Sequence, residues 1–210
     1  MIDLQNKLTL PINNSAELLV EFTGSVNKLR CGDWATVTLL QKNVKIRLKI
    51  DADIALETFR SLHYQLTEIL DENITIAPEL QYILGLKQQQ IYQEQCDDIL
   101  YTNNNGKEAY VESYLLWNVP QAYSTWLYAK DNKIFLEITP SYPWTFVKPT
   151  KKEKFYTFDE FVKNYKPYAI FEISKKTARE WQQKAQKNVD IIEASCAQLC
   201  QKQTASFQEE

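Results

Sequence analysis

The chain has 210 residues, a length that fits one domain better than two, because domains typically run from about 50 to 250 residues. Its composition, 44% hydrophobic and 24% charged, is that of an ordinary globular protein that needs no disulfide or metal ion to be stable. Lys and Arg number 24 against 27 Asp and Glu, and this slightly acidic balance argues against a general nucleic-acid-binding protein.

The first third of the chain predicts strands followed by a helix. Apolar and polar residues alternate over 17–23, 35–39 and 44–50, which is typical of half-buried strands. A helix is then expected from Asp51-Ala52-Asp53 through about Asn73, with either aspartate as its N-cap. Residues 79–96 are mixed and fit either a helix or an irregular connector.

The centre of the chain predicts a second group of strands. Residues 110–118 are rich in aromatic and apolar side chains, and residues 123–139 form a hairpin that turns at Asp131-Asn132. This register divides the hairpin into two faces. One face carries Leu127, Ala129, Ile134 and Leu136, and the other carries Trp126, Tyr128 and Phe135.

The last third begins with an aromatic loop at 140–146, expected to lie over a sheet, and a lysine-rich turn at 148–154. Thr157 and Glu160 have the spacing of a capping box for a short helix, and Ser174 precedes a long helix through about Cys200. We therefore predict an α+β fold with mainly antiparallel sheets packed by a central helix and a long C-terminal helix. The prediction is a single domain, 1–210, with a candidate lobe boundary within 76–96.

The sequence contains no motif of a known catalytic or cofactor site. Its glycines are isolated, so no phosphate-binding loop is present, and the only histidine, His63, lies beside apolar positions and is expected to pack in the core. Cys196 and Cys200, four residues apart, are better explained by core packing than by a metal, and Asp51 and Asp53 by helix capping than by Mg²⁺ or Ca²⁺. We therefore expect no catalytic residue, cofactor or metal.

The expected compartment is the cytoplasm. The first residues, MIDLQNKLTLPINN, lack the features of a secretory signal, and no stretch approaches the roughly 18 apolar residues of a membrane span. The four cysteines are scattered along the chain, which favours reduced thiols over a disulfide framework.

Charge is unevenly distributed, and this points to a candidate binding surface. Residues 1–100 carry 9 basic and 14 acidic side chains, whereas residues 148–187 carry 11 basic and 5 acidic. The outward face of the first helix combines a tyrosine with carboxylates, which suits an aromatic anchor and charges that attract a basic partner. The predicted partner-binding residues are Glu57, Tyr64, Glu68, Asp71 and Glu72. An ordinary solvated helix face is the alternative.

Two segments carry a family resemblance. They are WNVPQAYSTWLYAKDNKIFLEITPSYPW and, later, EFVKNYKPYAIFEISKKTAREWQQKA. Together they resemble immunity proteins of bacterial toxin systems, of the contact-dependent-inhibition and polymorphic-toxin types. The resemblance implies a small, non-enzymatic cytoplasmic protein that binds and neutralises one cognate toxin domain. The absence of a long apolar stretch argues against a membrane partner, and the acidic balance of the chain argues against nucleic acid.

Two other classes of function stay open at this point. One is an enzyme whose site is built from scattered carboxylates and tyrosines, and the other is a structural or adaptor module that binds proteins or itself. The sequence contains four aromatic residues that could stack on sugars or bases: Trp126, Tyr128, Tyr142 and Trp144. Burial of these rings under a helix or loop explains them better. The aromatic loop around Tyr142 and Trp144 is the alternative interface.

Overall fold

The computed structural model describes residues 6–103 and 105–206, with side chains through Leu199. Within that part of the chain it is an α+β fold of four helices and three antiparallel sheets, which confirms the predicted fold class. The residues divide into two compact units. Unit 1 takes the chain up to Leu66 and again from Lys176, and unit 2 spans Thr67–Lys175. That the whole chain is a single domain stays a prediction.

Unit 1 is built on a four-stranded antiparallel sheet whose strands are neighbours in chain order. The strands are β1 (Lys7–Asn13), β2 (Ala16–Phe22), β3 (Trp34–Gln41) and β4 (Ile46–Ile54). Strand β1 was not among the predicted elements. Two helices pack on this sheet, α1 (Ala55–Leu70, in unit 1 up to Leu66) and α4 (Lys175–Ser206, in unit 1 from Lys176). Trp181 of α4 is fully buried and donates its indole N–H to the Pro11 carbonyl at 3.1 Å.

The aspartates predicted to cap the first helix belong to strand β4 instead. The pairing of β3 with β4 shifts by one residue between Val37 and Thr38, and the shift places Asp51 in the interior beside Ile50. Asp51 accepts a hydrogen bond from the Thr58 hydroxyl at 2.9 Å, and burial raises its pKa to about 6. The helix itself begins at Ala55.

Cys31 and Cys196 form a disulfide within unit 1, contrary to the expectation of reduced thiols. Cys31 lies in the connection between β2 and β3, and Cys196 lies in α4, 165 residues later. Sequence spacing could not pair them, because only the packing of α4 brings the two together. Cys96 is a free, exposed cysteine, and the side chain of Cys200 lies outside the described residues.

Unit 2 contains the second four-stranded antiparallel sheet, in the order β10 (Ala169–Ile173), β9 (Lys133–Pro140), β8 (Tyr123–Lys130) and β7 (Leu115–Val119). Its helices are α2 (Leu84–Glu94) and α3 (Phe158–Asn164), with 3-10 turns at Pro78–Leu80 and Val111–Tyr114. Two further strands are β5 (Tyr101–Thr102) and β6 (Glu108–Ala109). The small β5–β6 pair forms the third sheet.

The central hairpin, β8–β9, has the predicted register. Leu127 pairs with Leu136 and Trp126 with Glu137, so the two predicted faces are confirmed. The turn residues Asp131 and Asn132 both have positive φ, 50° and 62°, which a two-residue hairpin turn requires. Trp126 and Tyr128 are buried in an apolar cluster with Leu80 and Leu84, so these two rings belong to the interior.

Candidate functional site

The predicted partner-binding residues of unit 1 are exposed, but one of them is already ion-paired. Tyr64 is 61% exposed and offers an aromatic ring to solvent. The Glu57 carboxylate lies 3.2 Å from Arg60, which also contacts Glu193 at 2.8 Å. Part of the negative charge expected at Glu57 is therefore compensated within the unit.

The predicted residues of unit 2 lie in the last turn of α1 and just beyond it. Helix α1 ends at Leu70, and the amides of Asn73 and Ile74 both donate to the Glu68 carbonyl as the chain turns away. Asp71 is exposed and Glu68 half-buried, while Glu72 has a left-handed φ of 61° and lies 3.7 Å from Lys175. The Asp71 amide still donates to the Thr67 carbonyl at 3.0 Å, as it would in a helix. Partner binding by the five predicted residues stays a prediction.

A second surface in unit 2 is formed by the segment 141–157 between β9 and α3, which we call the lysine–aromatic loop. Its centre is Tyr142, only 7% exposed, whose ring centroid lies 5.2–5.8 Å from those of Tyr156, Phe158 and Phe161. The Tyr142 amide donates to the Gln89 side chain of α2 at 2.9 Å, and its hydroxyl to the Tyr156 carbonyl at 3.2 Å. These contacts hold both ends of the loop, so Tyr142 has a structural role.

The outer residues of the lysine–aromatic loop combine apolar rings with positive charge. Phe146 is 74% exposed and Phe155 is 55% exposed, and Val147 is exposed beside Phe146. Four exposed lysines alternate with these residues along the loop, Lys148, Lys151, Lys152 and Lys154. The one carboxylate among the lysines, Glu153, accepts hydrogen bonds from the amide and the hydroxyl of Thr150, at 2.8 and 2.6 Å.

A pocket of about 440 Å³ opens beside this loop, and we call it the aromatic pocket. Its apolar walls are Pro140, Phe155, Tyr156, Phe161 and Tyr165, and its polar rim is Lys154, Glu160 and Asn164. Phe161 is buried, and its ring lies 5.8 Å from that of Tyr165, centroid to centroid. The pKa of the Tyr165 hydroxyl is raised, first by burial and then by the charge of Glu137. The pocket is therefore an apolar hollow with polar groups at its mouth, as in most ligand sites.

Glu137 is a buried carboxylic acid of unit 2 with a raised pKa. Its carboxylate is fully buried in β9 opposite Trp126 of β8, and Oε2 accepts a hydrogen bond from the Tyr128 hydroxyl at 2.7 Å. Oε1 has no hydrogen-bond partner among the described residues. Burial raises the pKa of Glu137 to about 7, and the Tyr128 hydrogen bond opposes this shift. A perturbed acid often marks a functional site, but Glu137 lines none of the cavities described here.

A smaller cavity of about 220 Å³ lies beside the Asp131-Asn132 turn. Three lysines line it and suggest an anion site, but each already has a partner. Lys130, Lys133 and Lys175 contact Gln81, Glu172 and Glu72 at 2.8, 2.8 and 3.7 Å. Across the described ranges, no three His, Cys, Asp or Glu side chains come together as metal ligands would.

The sequence carried a partial signal for these sites. The predicted turn at Asp131-Asn132 places Glu137 opposite Trp126, so the sequence itself indicates a carboxylate on the aromatic face of the hairpin. The sequence carried no such signal for the exposure of Phe146 and Phe155. Their exposure depends on which rings pack against Tyr142 in the interior.

None of the helices in the described part of the chain has the length and apolar character that crossing a bilayer requires.

Comparison with known proteins does not assign the chain to a family. No protein-family model, no curated protein and no solved structure gives a match to the chain.

Proposed function

We propose that the chain is a non-enzymatic protein that binds and neutralises one partner protein, in the manner of the toxin-immunity proteins it resembles. The observation that carries the proposal is the exposure of Phe146 and Phe155 on an anchored loop. Large apolar rings held in water are typical of interaction surfaces, where aromatic residues supply most of the binding free energy. The lysine–aromatic loop, and not the acidic face around Tyr64, is the proposed interface.

The charge of this loop defines the chemistry of the partner. Together with α3 and the two residues after it, the charged part of the loop spans 148–166 and carries six lysines and three carboxylates. Two of these carboxylates are engaged by threonines, Glu153 by Thr150 and Glu160 by Thr157. Complementary charge accelerates association and excludes wrong partners. The proposed partner therefore presents an acidic surface, the opposite of the basic toxin surface expected from the helix face.

The test measures affinity for the toxin-domain product of the gene adjacent to its own. Replacing Phe146 and Phe155 by alanine should weaken binding by at least about 2 kcal/mol, the usual size of a hot-spot effect. The matched control replaces two exposed apolar residues of unit 2 outside the loop, Ile99 and Leu100, and should bind as the parent does.

A third variant separates the two candidate interfaces. Tyr64→Ala combined with Glu68→Lys and Asp71→Lys should leave affinity unchanged if the loop is the interface. Loss of binding in this variant alone would return the interface to the helix face. If no toxin domain binds the unmodified chain, the immunity proposal is wrong.

The sequence and the disulfide point to different cellular compartments for the chain. The sequence favours the cytoplasm, whereas the bond between Cys31 and Cys196 favours an oxidising compartment, where disulfides persist. Thiol labelling of the chain taken directly from its source cells decides between them. Two labelled thiols would indicate oxidising surroundings, and four would indicate the cytoplasm.

A further inference from the structure

We infer that the aromatic pocket receives a large apolar side chain, of tryptophan size, from an acidic segment of the partner. This inference rests on the proposed function and assigns a role to a cavity that the exposed rings alone do not explain. Binding surfaces of proteins concentrate their free energy where an aromatic anchor fills a pocket of the other molecule.

The pocket is already shaped before any partner binds. Its floor, Phe161, is buried and contacts both Phe158 and Tyr142 through ring packing at 5.9 and 5.6 Å. Helix α3, which carries Phe161, begins with a complete capping box: the Thr157 hydroxyl accepts from the Glu160 amide, and the Glu160 carboxylate accepts from the Thr157 amide. A preformed pocket saves the ordering cost that a flexible one would add to binding.

The size of the pocket fits one large side chain and its neighbours. Ligand pockets span roughly 300–1,000 Å³, and this one is about 440 Å³. Phe155 at its mouth is more than half exposed, so it can close over an inserted ring. Edge-to-face contacts with Phe155, Tyr156 and Phe161 favour an aromatic occupant over an aliphatic one.

The rim of the pocket determines what flanks the anchor. Lys154 stands at the mouth, and Lys151 and Lys152 precede it in the loop with exposed side chains. The rim carboxylate, Glu160, is engaged in the capping box, so it opposes an acidic ligand less than a free carboxylate would. An acidic residue beside the anchor therefore meets the Lys154 ammonium group.

The first experiment uses short synthetic peptides and the full chain, with binding followed by calorimetry at low ionic strength. The probe is an acetylated, amidated pentapeptide with tryptophan between two pairs of glutamates. It should bind at least about ten-fold more tightly than the peptides with alanine at the centre or lysines at the flanks. Equal affinity of the three peptides, or no binding, would overturn the inference.

Two variants of one rim residue provide the decisive comparison. Asn164→Trp fills the mouth of the pocket, whereas Asn164→Ala leaves it open, and both remove the same hydrogen bond to the Glu160 carbonyl. The tryptophan variant should lose the peptide and the alanine variant should keep it. Peptide binding by both variants would place the anchor elsewhere.

The inference and the proposed function can fail separately. If Asn164→Trp binds the whole toxin domain as tightly as the parent, the pocket is not the anchor site, although the loop can still be the interface. If the chain binds vesicles of anionic phospholipid and the glutamate peptide does not compete, a membrane is the occupant and the inference is wrong.

Discussion

Glu137 and Asp51 are buried carboxylates, one in each unit, and their ionisation is coupled to folding. Burial raises both pKa values above those of exposed carboxyl groups, to about 7 for Glu137 and about 6 for Asp51. Each carboxylate accepts one hydroxyl hydrogen bond, from Tyr128 and Thr58 respectively. The folded chain therefore holds protons that the unfolded chain releases at lower pH.

The sign of the pH dependence follows from these directions. A group whose pKa is higher in the folded state stabilises the fold fully below its unfolded pKa, and this contribution is lost as pH rises through the folded pKa. For Glu137 the window runs from its ordinary value of 4.5 to about 7, and the loss amounts to roughly 3 kcal/mol.

Glu137→Gln should remove this dependence. The amide imitates the protonated acid, so the variant should unfold at higher urea concentration than the parent at pH 8, with little difference at pH 4.5. Denaturation followed by tryptophan fluorescence at both pH values measures this, and Asp51→Asn serves as the comparison in the other unit. If Glu137→Gln and the parent unfold at the same urea concentration at both pH values, ionisation of Glu137 does not destabilise the fold.

At the scale of the elements, α2 and β9 approach closely at one residue. A Cβ added to Gly85 would collide with the Thr139 hydroxyl, and would lie 2.6 Å from the Thr139 Cβ and 2.8 Å from the Tyr165 hydroxyl. The Thr139 Cβ is fixed to the strand backbone, so the contact can be relieved only by separating helix from sheet.

Gly85→Ala should therefore destabilise the chain. Alanine favours a helix by about 1 kcal/mol over glycine, but forced packing costs about 1–3 kcal/mol, so the expected net loss is about 1 kcal/mol. Thermal or urea denaturation measures it, with Gly32→Ala as the control because an added Cβ there meets no atom within 4 Å. A more stable Gly85→Ala variant would contradict the close approach.

The elements that the sequence predicted best are those whose signal is local. The β8–β9 hairpin combines two runs rich in aromatic and aliphatic residues with an Asp-Asn turn, and the Thr157 capping box is a four-residue pattern. Strand β1 was missed because Pro11 interrupts its alternation, which an edge strand tolerates. Strand β10 was also not among the predicted elements.

The candidate site was less predictable because its residues are selected by tertiary contacts. The aromatic rings of segment 142–161 differ in their exposure to solvent, although all of them belong to one aromatic-rich stretch of sequence. Tyr142 and Phe161 are buried, whereas Phe146 and Phe155 face solvent. That division depends on the bond from the Tyr142 amide to Gln89, a residue 53 positions away. No local pattern contains it.

At the scale of the whole molecule, the disulfide between Cys31 and Cys196 closes a covalent loop that contains all of unit 2. In the chain-entropy model a loop of this length stabilises the folded state by about 5 kcal/mol, because it restricts the unfolded chain. Removal of a native disulfide typically costs about 2–5 kcal/mol, so an effect of that size is expected.

Cys31→Ser and Cys196→Ser should therefore lower stability by similar amounts, and the double variant should lose no more than either single one. Reduction of the parent should have the same effect. Denaturation with and without reductant measures this, and Cys96→Ser is the control because that thiol is free and exposed. If reductant leaves the unfolding midpoint unchanged, the two sulfurs are not bonded.

The division of the chain into two units also affects the order in which its parts can fold during synthesis. Unit 2 is one uninterrupted stretch, whereas unit 1 needs both the first four strands and α4. A ribosome adding about 5–20 residues each second needs about 2–6 seconds to make the 32 residues of α4 after unit 2 is finished. The segment translated second can therefore fold first. During those seconds the opening sheet lacks Trp181, and Cys31 has no sulfur to join, which makes this interval the time when a chaperone would have most to bind.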